Sequence, residues 1–363
     1  MFTVLIDTSA FEKEGLSFSG SKFDAIKQFS DSDKIKIVSC SIIIKEIDKH
    51  IEDSIIKFIN SIKSTVKEAD HIAKADLDEF DYLLKDSKLL KKNMTTYRKK
   101  KVSDFFKSIN KVNLSYKNFS IDRLLTDYFN EDPPFSQRKK NEFPDAIILN
   151  SFINQFWDSL DQTCVVSCDR DFKNFCQNFP QVRFFENIST FSDFINSHYD
   201  SEFTKELHEV MKTKIEDISL SIDTSVYDNV DFVFGSEWFD PEAEIEDGSV
   251  SVQINDISLI IQSENNAEWE LDVEIGYKVH VTDSDPDYMV KDPDTKEWIS
   301  LENLTYSAEV KKNISFAITT AFDKYAISSS FQYDEDFELP SDIYDLDDAD
   351  FTQLEDATGS SEE

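Results

Sequence analysis

Four acidic residues follow predicted strands or lie early in predicted helices, and together they have the chemistry of a metal site. Asp7 and Asp169 each come directly after a short apolar run, whereas Glu46 and Asp145 lie near helix starts. In an open parallel sheet, the carboxyl ends of the strands converge on one crevice. Carboxylates gathered there repel one another unless a cation neutralises them, and Mg²⁺ and Mn²⁺ prefer oxygen ligands. The pattern therefore predicts a metal-dependent hydrolase of phosphodiester bonds.

Each of these acids, taken singly, also has a common structural role. Asp7 and Asp169 could cap the turns that follow them. Asp145 follows Pro144 at a helix start, where the helix dipole favours a negative charge, and Glu46 could be a solvated helix residue. The occurrence of all four acids together favours the metal site, because they are expected at the same edge of one sheet.

The elements that would position these acids alternate between strand and helix over the first 200 residues. This alternation predicts an α/β fold with a parallel sheet flanked by helices. The predicted strands are 3–6, 35–39, 164–168 and 182–185. The predicted helices are 21–29, 41–69, 76–109, 145–157, 171–176 and 189–199. The two longest helices look like a helical hairpin inserted at about 41–112 of a nuclease-like domain covering 1–205.

The C-terminal half has a different pattern. From about residue 212 apolar residues recur at every second position, most clearly from Trp269 to Val281, which predicts strands with one buried face. We expect a mainly antiparallel, acidic β-rich domain over 213–333. From residue 334 to 363 the chain is acidic with few apolar residues, which predicts a disordered tail.

The charge is divided unevenly between the two halves. The chain has a net charge of -35; residues 1–200 contain 31 acidic and 29 basic residues, so the other 42 acidic and 9 basic residues lie in 201–363. The acidic half therefore cannot bind nucleic acid by charge, whereas the N-terminal half can. Two basic clusters there are predicted to contact nucleic acid, namely Arg98, Lys99, Lys100 and Lys101, and Arg138, Lys139 and Lys140. A solvated helix face is the competing interpretation of the first cluster.

The acids and their neighbours resemble the signature of the PIN-domain nucleases over about residues 1–200. The matching segments are Leu-Ile-Asp7-Thr8-Ser9, Ile-Lys-Glu46-Ile, Phe-Pro-Asp145-Ala146 and Val-Val-Ser-Cys-Asp169-Arg-Asp171-Phe172. Residues 138–146 further resemble a bacterial branch of PIN-like proteins with a long helical insert and a C-terminal extension. The β-rich domain resembles no family that we can name.

The resemblance implies roles for individual residues. Asp7, Glu46, Asp145 and Asp169 would be catalytic and would hold one or two Mg²⁺ or Mn²⁺ ions. Asp171 could join them through water or could cap the helix that follows. Residues expected to orient the ligands or to be weaker candidates are Thr8, Ser9 and Glu142.

Several functional hypotheses stay open at this point. The first is a metal-dependent nuclease, with RNA favoured over DNA, acting as an endoribonuclease. The resemblance to bacterial PIN-like proteins implies a toxin or antiphage defence effector as its setting. The alternative is a catalytically inactive PIN-like scaffold that binds a protein partner through its acidic β-rich domain. The tail could also compete with substrate for the basic surface. A haloacid-type phosphatase is disfavoured because Ser9 stands where a second Asp is required, and the acid spacing of a response-regulator receiver is absent.

The remaining features bear on location. The four cysteines, Cys40, Cys164, Cys168 and Cys176, have no zinc-type CxxC spacing and are expected to be reduced thiols. Reduced thiols favour a cytoplasmic protein. The first residues lack the basic region and cleavage site of a signal peptide, and no apolar run reaches the length of a membrane span.

Overall fold

We describe a computed structural model of the 363-residue chain. The described residues are 1–73, 87–117, 119–135, 142–228, 232–234, 238, 241–284, 289–291, 298–300, 303–335, 337–346 and 349–354. Two compact units make up the chain, Met1–Tyr199 and Asp200–Glu363.

The N-terminal unit is built on a five-stranded parallel sheet. The strands are β1 (Phe2–Ile6), β2 (Ile35–Ser39), β3 (Lys111–Asn113), β4 (Thr163–Val166) and β5 (Arg183–Phe185), in the order β3-β2-β1-β4-β5. Strand β1 is central and lies between β2 and β4, with Ile6 paired to Val166. Its residues Val4, Leu5 and Ile6 are almost completely buried, as expected for a strand covered by helices on both faces.

Helices flank this sheet, as the sequence predicted. They are α1 (Thr8–Lys13), α2 (Ser21–Asp31), α3 (Ser41–Ala73), α4 (Ser87–Ser108), α5 (Ile121–Asn130), α6 (Phe143–Gln155), a 3₁₀ helix at Trp157–Gln162, α7 (Arg170–Gln177) and α8 (Ile188–Tyr199). Helix α3 buries one stripe of isoleucines at four-residue spacing, which is why so long a helix is amphipathic. Helix α4 packs against it.

Some elements of this unit differ from the prediction. Strand β3 and helices α1 and α5 were not predicted. Strand β3 is three residues long with Val112 as its one apolar residue, so it shows no periodicity. Helix α5 places Ile121, Leu125 and Phe129 on an exposed face, so its apolar stripe does not mark a core. The second long helix is described from Ser87, and the predicted residues 76–86 lie outside the described range.

The C-terminal unit begins with two helices, α9 (Ser201–Thr213) and α10 (Ile215–Asp228). Its sheet follows, with the strands β6 (Glu242–Ile245), β7 (Ser251–Gln262), β8 (Asn266–Ser284), β9 (Met289–Lys291), β10 (Trp298–Ser300), β11 (Asn303–Ala321), β12 (Gln332–Tyr333) and β13 (Thr352–Gln353); a short helix, α11, covers Ile327–Ser330. The pairs of β8 with β6, β7 and β11 are antiparallel, as expected. The sequence predicted a change from helical to two-residue periodicity at about residue 212. This boundary was placed too early, because α10 buries Ile218, Ile222 and Val226 at helical spacing.

The expectation of a disordered segment from residue 334 is wrong for the described residues of that segment. Ile343, Tyr344 and Leu346 are buried in the core of the C-terminal unit. The hydroxyl of Tyr277, on β8, donates to the carbonyl of Ile343 at 2.5 Å. Apolar side chains set among acidic ones therefore belong to the folded unit rather than to a free tail. Residues 355–363 lie outside the described range.

No helix in the described part of the chain has the length and apolar composition needed to cross a membrane.

Candidate active site

Asp7 is the first residue after the central strand and is held by hydroxyl groups. Its backbone amide donates to the carbonyl of Val166 at 2.9 Å, which extends the pairing of β1 with β4. The hydroxyl of Ser9 donates to Oδ2 of Asp7 at 2.6 Å, and the hydroxyl of Ser167 donates to the same oxygen at 2.9 Å. Asp7 also caps α1 by accepting from the backbone amide of Ser9. The capping role and a role as ligand are thus compatible, because these contacts all use one carboxylate oxygen.

Glu46 lies on the second turn of α3, and Thr8 fixes its side chain. The hydroxyl of Thr8 donates to Oε2 of Glu46 at 2.8 Å, so the first residue of α1 connects the carboxyl end of β1 with α3. Burial raises the pKa of Glu46 above its ordinary value, and the negative charge of Asp7 raises it further. Asp7 has a raised pKa for the same first reason, burial, which its serine hydrogen bonds partly offset.

Asp145 lies in the first turn of α6, behind Pro144. No described residue donates a hydrogen bond to its carboxylate, and the N-terminal placement alone would favour the charged form. Burial nevertheless raises its pKa, and the charges of four other acids raise it further, in the order Asp7, Glu46, Asp169 and Asp171; together they bring the pKa of Asp145 to about 7. The pKa of Asp145 therefore reports the combined negative charge of the other four acids.

Asp169 and Asp171 begin α7 behind β4. Oδ1 of Asp169 accepts from the backbone amide of Asp171 at 2.8 Å, so Asp169 caps the helix. The backbone amide of Asp169 in turn donates to the hydroxyl of Ser167 at 3.0 Å. The sequence left open whether Asp171 is a ligand or a cap; in the structure Asp169 is the cap, and Asp171 contributes charge to the cluster.

The donor set suits a hard divalent cation. Four carboxylates lie close enough to Asp145 to raise its pKa, and the repulsion among these charges would be relieved by a bound cation. As placed, however, no group of three or more His, Cys, Asp or Glu side chains among the described residues is ready to hold a metal ion. Binding an ion would therefore require these side chains to move toward a common centre.

The remaining predicted residues have separate fates. Glu142 is buried and precedes α6 as its N-terminal flanking residue, where its carbonyl accepts from the amide of Ala146. The basic residues Arg138, Lys139 and Lys140 lie outside the described residues.

The basic run on α4 is divided between structural and exposed members. Arg98 donates to the carbonyl of Leu16 at 3.3 Å, and Lys99 pairs with Glu52 of α3 at 2.5 Å. These two residues therefore help to hold α4 in place. Lys100 is exposed and Lys101 is half-buried, and neither forms an ion pair with a described residue.

Sequence reasoning missed Ser167 and His50. Ser167 contacts both Asp7 and the amide of Asp169, and its one signal is that it follows β4 at the position paired with Asp7. His50 lies one turn after Glu46 on α3, contacts Glu12 of α1, and lowers the pKa of Glu46 by its electrostatic effect.

Comparison with protein-family models matches residues 4–172 to a PIN domain. The N-terminal unit is a PIN domain. The resemblance to PIN domains is thereby confirmed, whereas the resemblance to a bacterial branch with a long helical insert stays a prediction; PIN domains are typically nucleases that use divalent metals. No curated protein and no solved structure gives a match to the chain. The matched range contains all five acids of the cluster, whereas the C-terminal unit lies wholly outside it.

Proposed function

We propose that this protein is a metal-dependent ribonuclease whose carboxylate cluster holds Mg²⁺ or Mn²⁺. The observation that carries the proposal is the joint effect of Asp7, Glu46, Asp169 and Asp171 on Asp145. These residues come from a strand end, from α3 and from the start of α7, so the effect requires the whole domain to be folded. A cluster of this kind in a PIN domain supports hydrolysis of phosphodiester bonds.

The chain's own residues prepare the site in three ways. Ser9 and Ser167 hold one oxygen of Asp7 and leave the other, Oδ1, for a ligand. Thr8 orients Glu46. Asp145, with a pKa of about 7, holds a proton below neutral pH and gives it up as the pH rises or as a cation binds. When bound, the metal would supply Lewis-acid activation of water and stabilisation of charge developing on the phosphate.

RNA is the substrate that we favour, and we expect the enzyme to act on it in the cytoplasm. The PIN domain carries near-balanced charge with exposed lysines on α4, whereas the other half has the large acidic excess, so the substrate is expected at the PIN domain. An endonucleolytic toxin or antiphage defence effector is the setting that the family resemblance supports.

The test is cleavage of labelled single-stranded RNA and DNA side by side, in Mn²⁺, in Mg²⁺ and in EDTA. We expect cleavage of RNA that requires the metal, with slower or no cleavage of DNA of the same sequence. A circularised RNA substrate separates endonucleolytic from exonucleolytic action, because only an endonuclease opens it. Failure to cleave any substrate with either metal would overturn the proposal.

The acidic charge of the C-terminal unit favours a second role, binding of a basic protein partner. With 42 acidic and 9 basic residues over 201–363, this half would attract a basic surface strongly at low salt. If cleavage is absent, a scaffold that binds such a partner is the function that remains. Co-purification with a basic protein that is lost as salt is raised would support it.

A further inference from the structure

The PIN domain contains a cavity, separate from the carboxylate cluster, between α4 and the loop before α2. Its volume is about 490 Å³. Its lining includes Phe18, Ser19 and Gly20 from the loop, and Tyr97, Lys100 and Lys101 from α4. The two helix lysines and the tyrosine are the members that suggest a ligand.

The floor of this cavity is aromatic and its rim is basic. Phe18 and Phe105 are buried with their ring centroids 5.5 Å apart, so the floor is rigid and apolar. Tyr97 is 61% exposed on the rim, and Nζ of Lys101 lies 5.7 Å from the centroid of its ring. The rim thus presents an exposed aromatic ring with an ammonium group over one face, which leaves the other face for a base.

The charges of the rim leave a positive excess. Lys27 is neutralised by Asp24 at 2.9 Å. Lys100 and Lys101 form no ion pair with any described residue, and Asp104 is the one other acid in the lining. An anion at Lys100 and Lys101 would therefore not have to displace a carboxylate.

We propose that this cavity binds a segment of single-stranded nucleic acid, with one base stacked on Tyr97 and the adjacent phosphates at Lys100 and Lys101. The inference rests on the proposed nuclease function and specifies where its substrate is held. Stacking on an exposed aromatic ring and pairing with lysines are the two means by which proteins bind single strands without reading sequence.

The position of α4 relates this cavity to the carboxylate cluster. Lys99, between Tyr97 and the two rim lysines, contacts Glu52 and Asp48 on α3. Glu46 lies on the same helix, two residues before Asp48. The helix that carries the proposed binding residues therefore packs beside the helix that carries Glu46.

The experiment measures binding without cleavage, by fluorescence anisotropy of labelled twelve-residue oligouridine in EDTA. Tyr97→Leu should weaken binding about 5- to 150-fold, because stacking of a base contributes about 1–3 kcal/mol. Tyr97→Phe, which keeps the ring, should bind as the wild type does. A strand of abasic residues should bind the wild type and Tyr97→Leu equally.

The lysines are tested by salt dependence. K100A/K101A should reduce the slope of log affinity against log salt by about 1.4, since each phosphate contact to a single strand contributes about 0.7. The matched control is K92A/K107A, which removes the same charge from the same helix outside the cavity lining. Equal changes in the two double variants, or no effect of Tyr97→Leu, would overturn the inference.

The same variants separate this inference from the proposed function. Because binding is measured in EDTA, the predicted pattern can hold even if the protein cleaves nothing, and only the nuclease proposal then fails. Conversely, metal-dependent cleavage together with unchanged binding by Tyr97→Leu and K100A/K101A would overturn only the proposal that the cavity binds the strand. Parallel titrations with oligothymidine show whether the cavity takes RNA, DNA or both, and a loss on Tyr97→Leu with either strand supports it.

Discussion

The hydroxyl of Ser167 lies 2.9 Å from Oδ2 of Asp7, so the first residue after β4 holds the first residue after β1. The two are 160 positions apart in the chain and become neighbours through the parallel pairing of β1 with β4. The same hydroxyl accepts from the amide of Asp169. One serine therefore fixes two acids of the cluster, and its role can be measured.

Ser167→Ala should reduce metal-dependent cleavage by about 10- to 100-fold, the range found when groups that orient metal ligands are removed. The loss should be larger at limiting Mn²⁺ than at saturating Mn²⁺, because a misaligned Asp7 weakens the metal more than the chemistry. The control is Ser192→Ala. The Ser192 hydroxyl is buried with no hydrogen-bond partner among the described residues, so this variant should keep full activity. Equal activity of the two variants would contradict the role of Ser167.

The raised pKa of Asp145 predicts a pH dependence of stability in the metal-free protein. The folded state binds the proton more tightly than the unfolded state, whose pKa is 3.8, so the contribution is favourable at low pH and is lost as pH rises toward about 7. Asp7 and Glu46, also raised, act in the same direction. The melting temperature of the PIN domain in EDTA should fall between pH 5 and pH 8. Asp145→Asn should flatten this fall, and a melting temperature that rises over this range in the wild type would contradict the prediction.

Added Mn²⁺ should reverse this loss, since a cation and a proton compete for the same carboxylates. The increase in melting temperature produced by Mn²⁺ should be small at pH 5.5 and larger at pH 8, measured by differential scanning fluorimetry. NaCl at the same ionic strength serves as a control for screening alone. An increase of the same size at both pH values would show that the ion binds elsewhere.

The C-terminal segment should contribute to the stability of its unit rather than inhibit the enzyme. Leu346 is 1% exposed, so Leu346→Ala should destabilise the C-terminal unit by about 2–5 kcal/mol. Leu354→Ala, at a side chain that is 42% exposed, is the control and should be near neutral. Chemical denaturation followed by tryptophan fluorescence reports this unit, because Trp269 is buried in its core. Equal stability of the two variants would instead support the prediction that this segment is a disordered tail.

This result also changes how the autoinhibition hypothesis should be tested. Removing residues from 335 onward would delete Ile343, Tyr344 and Leu346 from a core and would confound any change in activity with unfolding. Ending the chain after Leu354 leaves those residues in place. If the acidic end competes with substrate, this shorter truncation should raise cleavage at low salt.

The sequence predicted the acids better than the residues that hold them. Asp7 and Asp169 follow buried strands, and strand ends can be recognised from local apolar runs. Ser167 could not be recognised, because its partner is set by the pairing of β1 with β4, which no local pattern specifies. The division of the basic run, with Lys99 paired to α3 and Lys100 unpaired, likewise depends on how two helices pack.

Long-range packing also explains the errors in the C-terminal half. Ile343 and Leu346 stand among acidic residues, so composition predicted disorder. Their backbone groups are nevertheless held by Tyr277 and Val233 from elsewhere in the unit. The long alternation from Trp269 to Val281 was recognised because it is complete within one strand. Local periodicity was therefore enough to locate β8, whereas the order of the segment that contains Ile343 and Leu346 depends on tertiary contacts.

Cleavage of single-stranded RNA in Mn²⁺ by Asp145→Asn, compared with the wild type, tests the metal-dependent carboxylate cluster most directly. Asp161→Asn, at an exposed acid outside the cluster, is the matched control. We predict that Asp145→Asn loses more than about 100-fold in rate, as expected if about 3 kcal/mol of stabilisation is lost, while Asp161→Asn keeps the wild-type rate. Metal-dependent cleavage by Asp145→Asn at the wild-type rate would contradict the account.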